Sequence, residues 1–410
     1  MGGEVKSMRT AGGLLFLGLL LAACGPTPGG PHTGSGSKLY EAVADHNTQM
    51  VSVIDSSSHA TERRLPLGTP SRDWKHLYSM LGSSLVDTDP MTGNTLNILA
   101  LPGSFQLPSA TNTGLPGGLS AAGQWLVVQS YNPTTVHTHM LVIDTSKFKV
   151  ADRVDLTGRF NFDAISDDGI RMYLIQYLNG KEYYVRMFDI PSNTLDANIV
   201  VDKSDGNQAM SGLRLSGIAA PDGTMLYSMY VRENESPFIH ALNLTGPFAF
   251  CFDLPGGGYT GGGKSAMQWS LAMTHDGTRL YAINGATGIV AEVDTSQQFV
   301  PQVLRTAQIS TGSSGAIGAN TAVLSIDGKT LVTAGSSGVL WVDTASLKVR
   351  MESLAEWHIW SLGLSPDGKT LFAVNDTGQV AEISMASGQV IGRFDPAAGR
   401  PVALMRVAAA

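Results

Sequence analysis

Apolar and polar positions along this chain fall into short blocks, and the blocks recur. Leu371-Phe372-Ala373-Val374 follows the polar stretch Ser365-Pro366-Asp367-Gly368-Lys369-Thr370, and Leu280-Tyr281-Ala282-Ile283 follows Thr274-His275-Asp276-Gly277-Thr278-Arg279. The same order returns at residues 325–331, 220–227 and 166–173, more weakly at 120–126 and 71–78, and opens the series at 36–40. Asp-Gly between two apolar runs supplies the positive backbone φ of a tight hairpin turn, so each block predicts two antiparallel strands. In the second copy Trp74 stands where the glycine belongs. A tryptophan is costly at positive φ, and a different turn geometry is expected there.

The apolar runs are anchored by Leu or Met at positions 39, 77, 126, 172, 226, 280, 331 and 371. Each is followed by an apolar residue and then Asp or a small polar one: Ile54-Asp55, Val86-Asp87, Ile143-Asp144, Phe188-Asp189, Leu242-Asn243, Val293-Asp294, Val342-Asp343 and Ile383-Ser384. Paired marks recurring every 38 to 54 residues signal a propeller or solenoid. Strands apolar at nearly every position need cover on both faces, which stacked blades provide. The expected fold is therefore all-β: a β-propeller of four-stranded antiparallel blades, eight of them, or seven if the irregular second repeat is an excursion. Residues 38–410 form one domain. The first repeat begins at its second strand, while a spare apolar run, 401–407, ends the chain. That run is expected to become the innermost strand of the first blade and close the ring, removing exposed sheet edges.

These repeats resemble the YVTN and lactonase-like propellers and the wider group of Ser-Pro-Asp-Gly propeller repeats, over residues 38–408. The resemblance implies architecture. Its members include sugar-lactone hydrolases and binding proteins, and a fold shared so widely does not carry function with it.

The N-terminus has its own pattern. Lys6 and Arg9 precede the apolar run 14–21, which leads to Ala22-Ala23-Cys24-Gly25. Basic, apolar, then small residues is the order of a secretory signal. The run is shorter than the roughly 20 residues of a membrane-spanning helix. Leu21-Ala22-Ala23-Cys24 resembles the lipobox of bacterial lipoproteins, which implies cleavage before Cys24 and lipidation of its sulfur. Translation from Met8 would leave Arg9 as the basic region. Residues 1–23 then read as a lipoprotein signal peptide and 24–37, rich in Gly, Pro, Ser and Thr, as a flexible tether. The expected location is extracytoplasmic and membrane-anchored, with the membrane touched only through the lipid.

Composition narrows the partners. The other cysteine is Cys251, so a lipidated Cys24 leaves no pair for a disulfide. Cys251, inside Phe248-Ala249-Phe250-Cys251-Phe252, reads as a small buried hydrophobe. The formal charge is −7 and moves to −8 once Lys6, Arg9 and Glu4 are removed with the signal, and no basic block exists to favour nucleic acid. A monomer is expected.

Binding chemistry is expected on the disc face that carries the variable connections, opposite the Asp-Gly turns. Trp269, Trp360, Trp357, His358, Arg214, Gln268, Asn320, Asn161, Asn284 and Asn375 fall at or near the entries to first strands or in these loops, with His46, Tyr131, Asn132, Tyr177, Asn179, Arg232 and Asp376 also from the loops. A mouth of aromatics and amides suits a protein, peptide or carbohydrate ligand. Trp269 and Trp360 could equally serve as wedges between blades. No catalytic constellation is legible, and His358 is the one weak candidate for general-base work. Residues 258–265, Gly-Tyr-Thr-Gly-Gly-Gly-Lys-Ser, match the phosphate-loop pattern, but the pattern needs a helix after Ser265 and the next strand comes too soon. His137 and His139 share a strand face without a third ligand, so no metal is assigned.

The leading functional expectation is thus a non-enzymatic, lipid-tethered binding module without cofactor. A lactonase-like hydrolase acting at the channel mouth is one alternative. An envelope-assembly scaffold is another, like the eight-bladed lipoprotein of outer-membrane protein insertion; that protein resembles quinoprotein propellers, whose docking tryptophan these repeats lack, and a quinone is disfavoured for the same reason.

Overall fold

The structure, a computed structural model, describes residues 36–45, 48–202, 208–296, 300–310, 321–335 and 338–410. The expected signal segment, Cys24 and most of the expected tether lie outside the described residues. From Gly36 onward the chain folds into eight sheets in sequence order. Blade one runs, from the channel outward, Arg400–Ala409, Ser37–Asp45, Thr48–Asp55 and Ala60–Pro66. Blade two is Gly68–Pro70, Leu77–Leu81, Ser84–Thr88 and Thr95–Ala100; blade three is Trp125–Asn132, His137–Asp144 and Lys149–Thr157. In blade three the innermost place is taken by residues 118–119, through a Leu119–Leu126 bridge and the Val127 N–H donating to the Gly118 carbonyl at 2.8 Å.

Blade four is Phe160–Ile165, Arg171–Tyr177, Glu182–Asp189 and Thr194–Ile199, and blade five is Leu213–Ala219, Met225–Val231, Phe238–Asn243 and Phe248–Asp253. Blades six, seven and eight begin at Trp269–Met273, Ala322–Leu324 and Ile359–Leu364 and continue in the same way. The innermost strands of blades five, six, seven, eight and one contact one another in that order around the channel. The irregular second repeat is a full blade, and the count is eight.

Burial explains the continuous apolar runs. Side chains alternate across a strand, so each second strand feeds two inter-blade cores. In blade one, Leu39 and Val43 pack with Phe372, Val374 and Val380 of blade eight, while Tyr40 packs with Leu77 of blade two. Seven of the eight anchors have no exposed surface, and Leu226 is half-buried.

The turn residues have separate duties. The hydroxyl of Ser365 donates to Asp367 at 2.7 Å and accepts from the Thr370 N–H at 2.9 Å, and Ser325 and Thr274 repeat both bonds. The Asp of the second mark accepts from backbone N–H groups of the next turn, as at Asp294, Asp343 and Asp55. Thr295 and Thr344 hydroxyls then donate to the carbonyls of Gly277 and Gly328, so both turns of a blade lock together on one face.

The second repeat departs from expectation at one residue. Its turn keeps the common geometry, with the Trp74 N–H donating to the Ser71 carbonyl at 2.9 Å as Gly169 does to Ser166 at 3.0 Å, and Trp74 itself adopts φ of 59°. The ring compensates for this backbone by packing on Tyr40, 5.0 Å between centroids, under the Arg406 guanidinium at 5.4 Å.

Closure follows the expected route. Arg400–Ala409 pairs along Ser37–Asp45 from Ser37 opposite Ala409 to Ala44 opposite Arg400, with two register shifts. The Ala410 N–H donates to the Gly36 carbonyl at 2.7 Å, and the Leu404 N–H to Ser361 of blade eight at 2.7 Å.

Candidate functional site

The longest departure from the repeat lies between blades two and three. Residues 101–118 carry prolines at 102, 108 and 116, which cannot donate to a central ladder, and between Gln106, which exchanges backbone hydrogen bonds with Gln129 at 2.9 Å, and Gly118 they leave the sheet. They form a small hairpin bridged at Ser109 and Pro116, with the Ala110 N–H donating to the Leu115 carbonyl at 2.7 Å. The hairpin touches three other blades. Gly117 accepts from Thr69 of blade two at 2.7 Å, Gly114 lies beside Gln49 of blade one, and the Asn112 N–H donates to the Leu215 carbonyl of blade five at 2.9 Å. It therefore crosses the channel mouth. Gly118 permits the return: its φ is +98°, and a side chain there would meet the Val127 carbonyl oxygen at 2.5 Å. On the opposite face Arg72 reaches from blade two to the Pro221 carbonyl of blade five at 2.8 Å. The channel is bridged at both ends.

Beside the hairpin a cleft of about 730 Å³ opens over blades four and five. Asn112 comes from the hairpin, Asn161 and Tyr177 from the first two strands of blade four, Arg214 and Tyr230 from those of blade five, and Tyr259 from the short helix that leads to blade six. Strand ends on the variable face supply almost every wall, as the sequence pattern implies.

Beneath the floor lies a buried polar cluster. Asp163 occupies a bulge in Phe160–Ile165, where the register shifts between Phe162 and Ala164, and this turns its carboxylate toward blade five. Its side chain is 1% exposed and its Oδ1 accepts from Arg214 at 2.6 Å. Asp163 Oδ2 and Arg214 Nε are buried without a hydrogen-bond partner among the described residues. Tyr183 and Tyr230 stack 6.1 Å apart across the same interface. Burial raises both phenols above their ordinary pKa, so their hydroxyls stay protonated.

Electrostatically the cleft is closed on itself. Lys181 pairs with Glu233 at 2.7 Å, and Arg232 with Asp253 at 2.8 Å and Glu235 at 3.5 Å. Arg159 sits 4.8 Å over the Tyr177 ring, Asn161 donates to the Tyr177 hydroxyl at 3.1 Å, and Glu182 accepts from Asn179 at 2.8 Å.

Of the residues expected at the mouth, Arg214 and Asn161 come together in this cleft, with Tyr177, Asn179 and Arg232. The others lie elsewhere. Trp269, 2% exposed, is a wedge in the core between blades five and six. Asn284 is buried, accepts from the Thr287 N–H and holds the Ser265 carbonyl at 2.9 Å. Gln268, half-buried, ends the short helical segment. Asn375 accepts from the Thr377 and Gln379 N–H groups and shapes its own hairpin. Trp357 packs under Arg393 at 5.3 Å, and Trp360 is half-buried beside it in sequence. His358 is exposed, 3.3 Å from Asp376, over blade eight. Asn320 lies outside the described residues.

Three smaller motifs also find their place. Helical turns span Tyr259–Gly262 and Gly263–Met267, and their first N–H groups, from Tyr259 and Thr260, donate to the carbonyls of Arg232 and Glu233, so they face protein and not a phosphate. His139 pairs with Asp155, and no group of three metal-ligating side chains occurs among the described residues. Cys251 differs from expectation: it is half-buried and lies 3.3 Å from His240 Nδ1. The Phe-Ala-Phe-Cys-Phe run reads as a covered strand, but it is the blade's fourth strand, and the short Val201–Asp202 segment pairs outside it only at Phe248 and Ala249.

No family model matches the chain, and no curated protein is similar to it by sequence. Among solved structures it is similar to the dihydro-heme d1 dehydrogenase NirN in complex with DHE, with a TM-score of 0.55 and 14% identity over 90% of this chain and 74% of that one. It is also similar to hydrazine synthase of Kuenenia stuttgartiensis (TM-score 0.43, 15% identity, 80% and 99% of the two chains). A protein of unknown function from Desulfotomaculum acetoxidans gives a TM-score of 0.41 and 14% identity over 79% and 96%. At such identity the likeness to NirN is one of fold alone, and the two lower scores carry no argument.

Proposed function

We propose that this chain is a non-enzymatic β-propeller binding module, held outside the cytoplasm through a lipidated Cys24, that takes its ligand in the cleft over blades four and five. The fold supports a binding module in general terms. One observation carries the choice of place: the cleft is a concavity of about 730 Å³ on the variable face, and a dedicated hairpin, not a repeat element, forms one wall. Pockets of this size are the usual seat of small ligands and chain segments. The anchor rests on the basic, apolar, small-residue order ending at Cys24. Binding of envelope extracts or defined ligands by the purified protein, compared with Tyr177→Ala, tests the site; a variant that keeps its fold and loses no binding would remove the cleft from consideration. Incorporation of labelled palmitate by wild type and none by Cys24→Ser is the matching result for the anchor.

The lactonase-like reading rests on His358, which stands with Asp376 away from the cleft. Lactone turnover abolished by His358→Ala would replace the binding reading with that one.

A further inference from the structure

Granting the cleft over blades four and five as the binding site, we infer that its ligand is a short, uncharged oligosaccharide. Charge is the first argument. The three cations lining the cleft each already hold a carboxylate: Lys181 holds Glu233 at 2.7 Å, Arg232 holds Asp253 at 2.8 Å, and Arg214 holds Asp163 at 2.6 Å. A phosphate, uronate or acidic peptide would bring its charge beside carboxylates already on these cations, and displacing the one whose Asp163 is 1% exposed would strand a buried charge. A cationic ligand would find Glu233 and Glu235 already beside Lys181 and Arg232, and Glu182 held by the Asn179 amide.

Hydrogen-bond chemistry is the second argument. The walls offer side chains that both donate and accept, the amides of Asn112 and Asn161 and the phenols of Tyr177 and Tyr259. Sugar hydroxyls also donate and accept, and pyranose C–H faces suit aromatic rings. Below them Asp163 Oδ2 and Arg214 Nε are buried with no hydrogen-bond partner among the described residues, and Arg214 reaches the floor.

Against a neutral peptide stands the backbone. An extended peptide binds by adding a strand to an open edge, and on the innermost strand of blade five the Leu215 carbonyl is already taken by the Asn112 N–H of the hairpin at 2.9 Å. The volume of about 730 Å³ suits a few sugar rings and not a folded partner.

The test uses the whole mature protein on an array of neutral di- to tetrasaccharides with their uronate counterparts and acetyl- and amide-capped tripeptides. Affinities are then measured in solution for wild type, Asn161→Ala and Tyr177→Ala, each checked for unchanged thermal unfolding. The expected result is binding of a neutral oligosaccharide, about tenfold or more weaker for its uronate form and for either variant. A capped peptide that binds in place of sugars and responds to Asn161→Ala overturns the saccharide and leaves the cleft standing, as does preference for a uronate. No binding, or binding indifferent to both variants, overturns both.

Discussion

Glu41 is the least comfortable residue in the ring. It stands between Leu39 and Val43 on the strand face that packs against blade eight, 1% exposed, with neither carboxylate oxygen hydrogen-bonded among the described residues. Burial alone pushes its pKa from 4.5 up to about 8. The folded chain therefore keeps this proton where the unfolded chain has released it. Its contribution is fully present below pH 4.5 and is lost as pH rises to about 8. Urea unfolding of Glu41→Gln beside wild type should show the variant gaining on wild type between pH 5 and pH 8 by ~2 kcal/mol or more. Glu382, raised to about 7 by burial, adds the same trend to both proteins and cancels in the difference. A constant difference across that range would mean that Glu41 is solvated. At this scale the sequence is least informative. Nothing around Glu41 distinguishes it from a surface position, and Asp163 reaches Arg214 only because a bulge turns it, a feature with no mark in Phe160-Asn161-Phe162-Asp163.

Elements were more legible, because hairpin turns and strand pairs are local. The Asp-Gly turns, the anchors and the closing strand follow from spacing and turn chemistry, whereas the hairpin of residues 101–118 does not: its partners, Thr69, Gln49 and Leu215, are set by the ring and not by neighbours in sequence. Which residues face the mouth is hard to read for a related reason. Trp269 and Asn284 do sit at strand ends, but whether an end residue faces the channel or the next blade depends on inter-blade packing. The second turn shows that even a strong local rule yields to such packing, since Trp74 holds φ of 59° under Arg406 and against Tyr40. Substitution there should invert the usual order of damage. Trp74→Ala loses the ring contacts and keeps the strained backbone, while Trp74→Gly loses the contacts and relieves the strain. Chemical denaturation should therefore find the glycine variant more stable than the alanine variant by about 1 kcal/mol. The reverse order would mean that the turn carries no strain.

Across the whole molecule, stability depends on a contact between the two ends of the described chain. Arg400–Ala409 is the innermost strand of blade one and also binds blade eight through Leu404 and Ser361. Removing residues 400–410 should open the ring, strip both neighbouring cores of cover and abolish cooperative unfolding, whereas a nick in an outer strand leaves the ring closed. Calorimetry of the truncated protein checks this, and an undiminished single transition would show the closing strand to be dispensable. The same seam also distinguishes the two faces of the disc. Gly36 enters at the edge where the Asp-Gly turns gather, bonded to Ala410, and the cleft opens at the opposite edge, over blades four and five. The two ends of the described chain thus meet on the face away from the cleft, which leaves the cleft's own face free of either end.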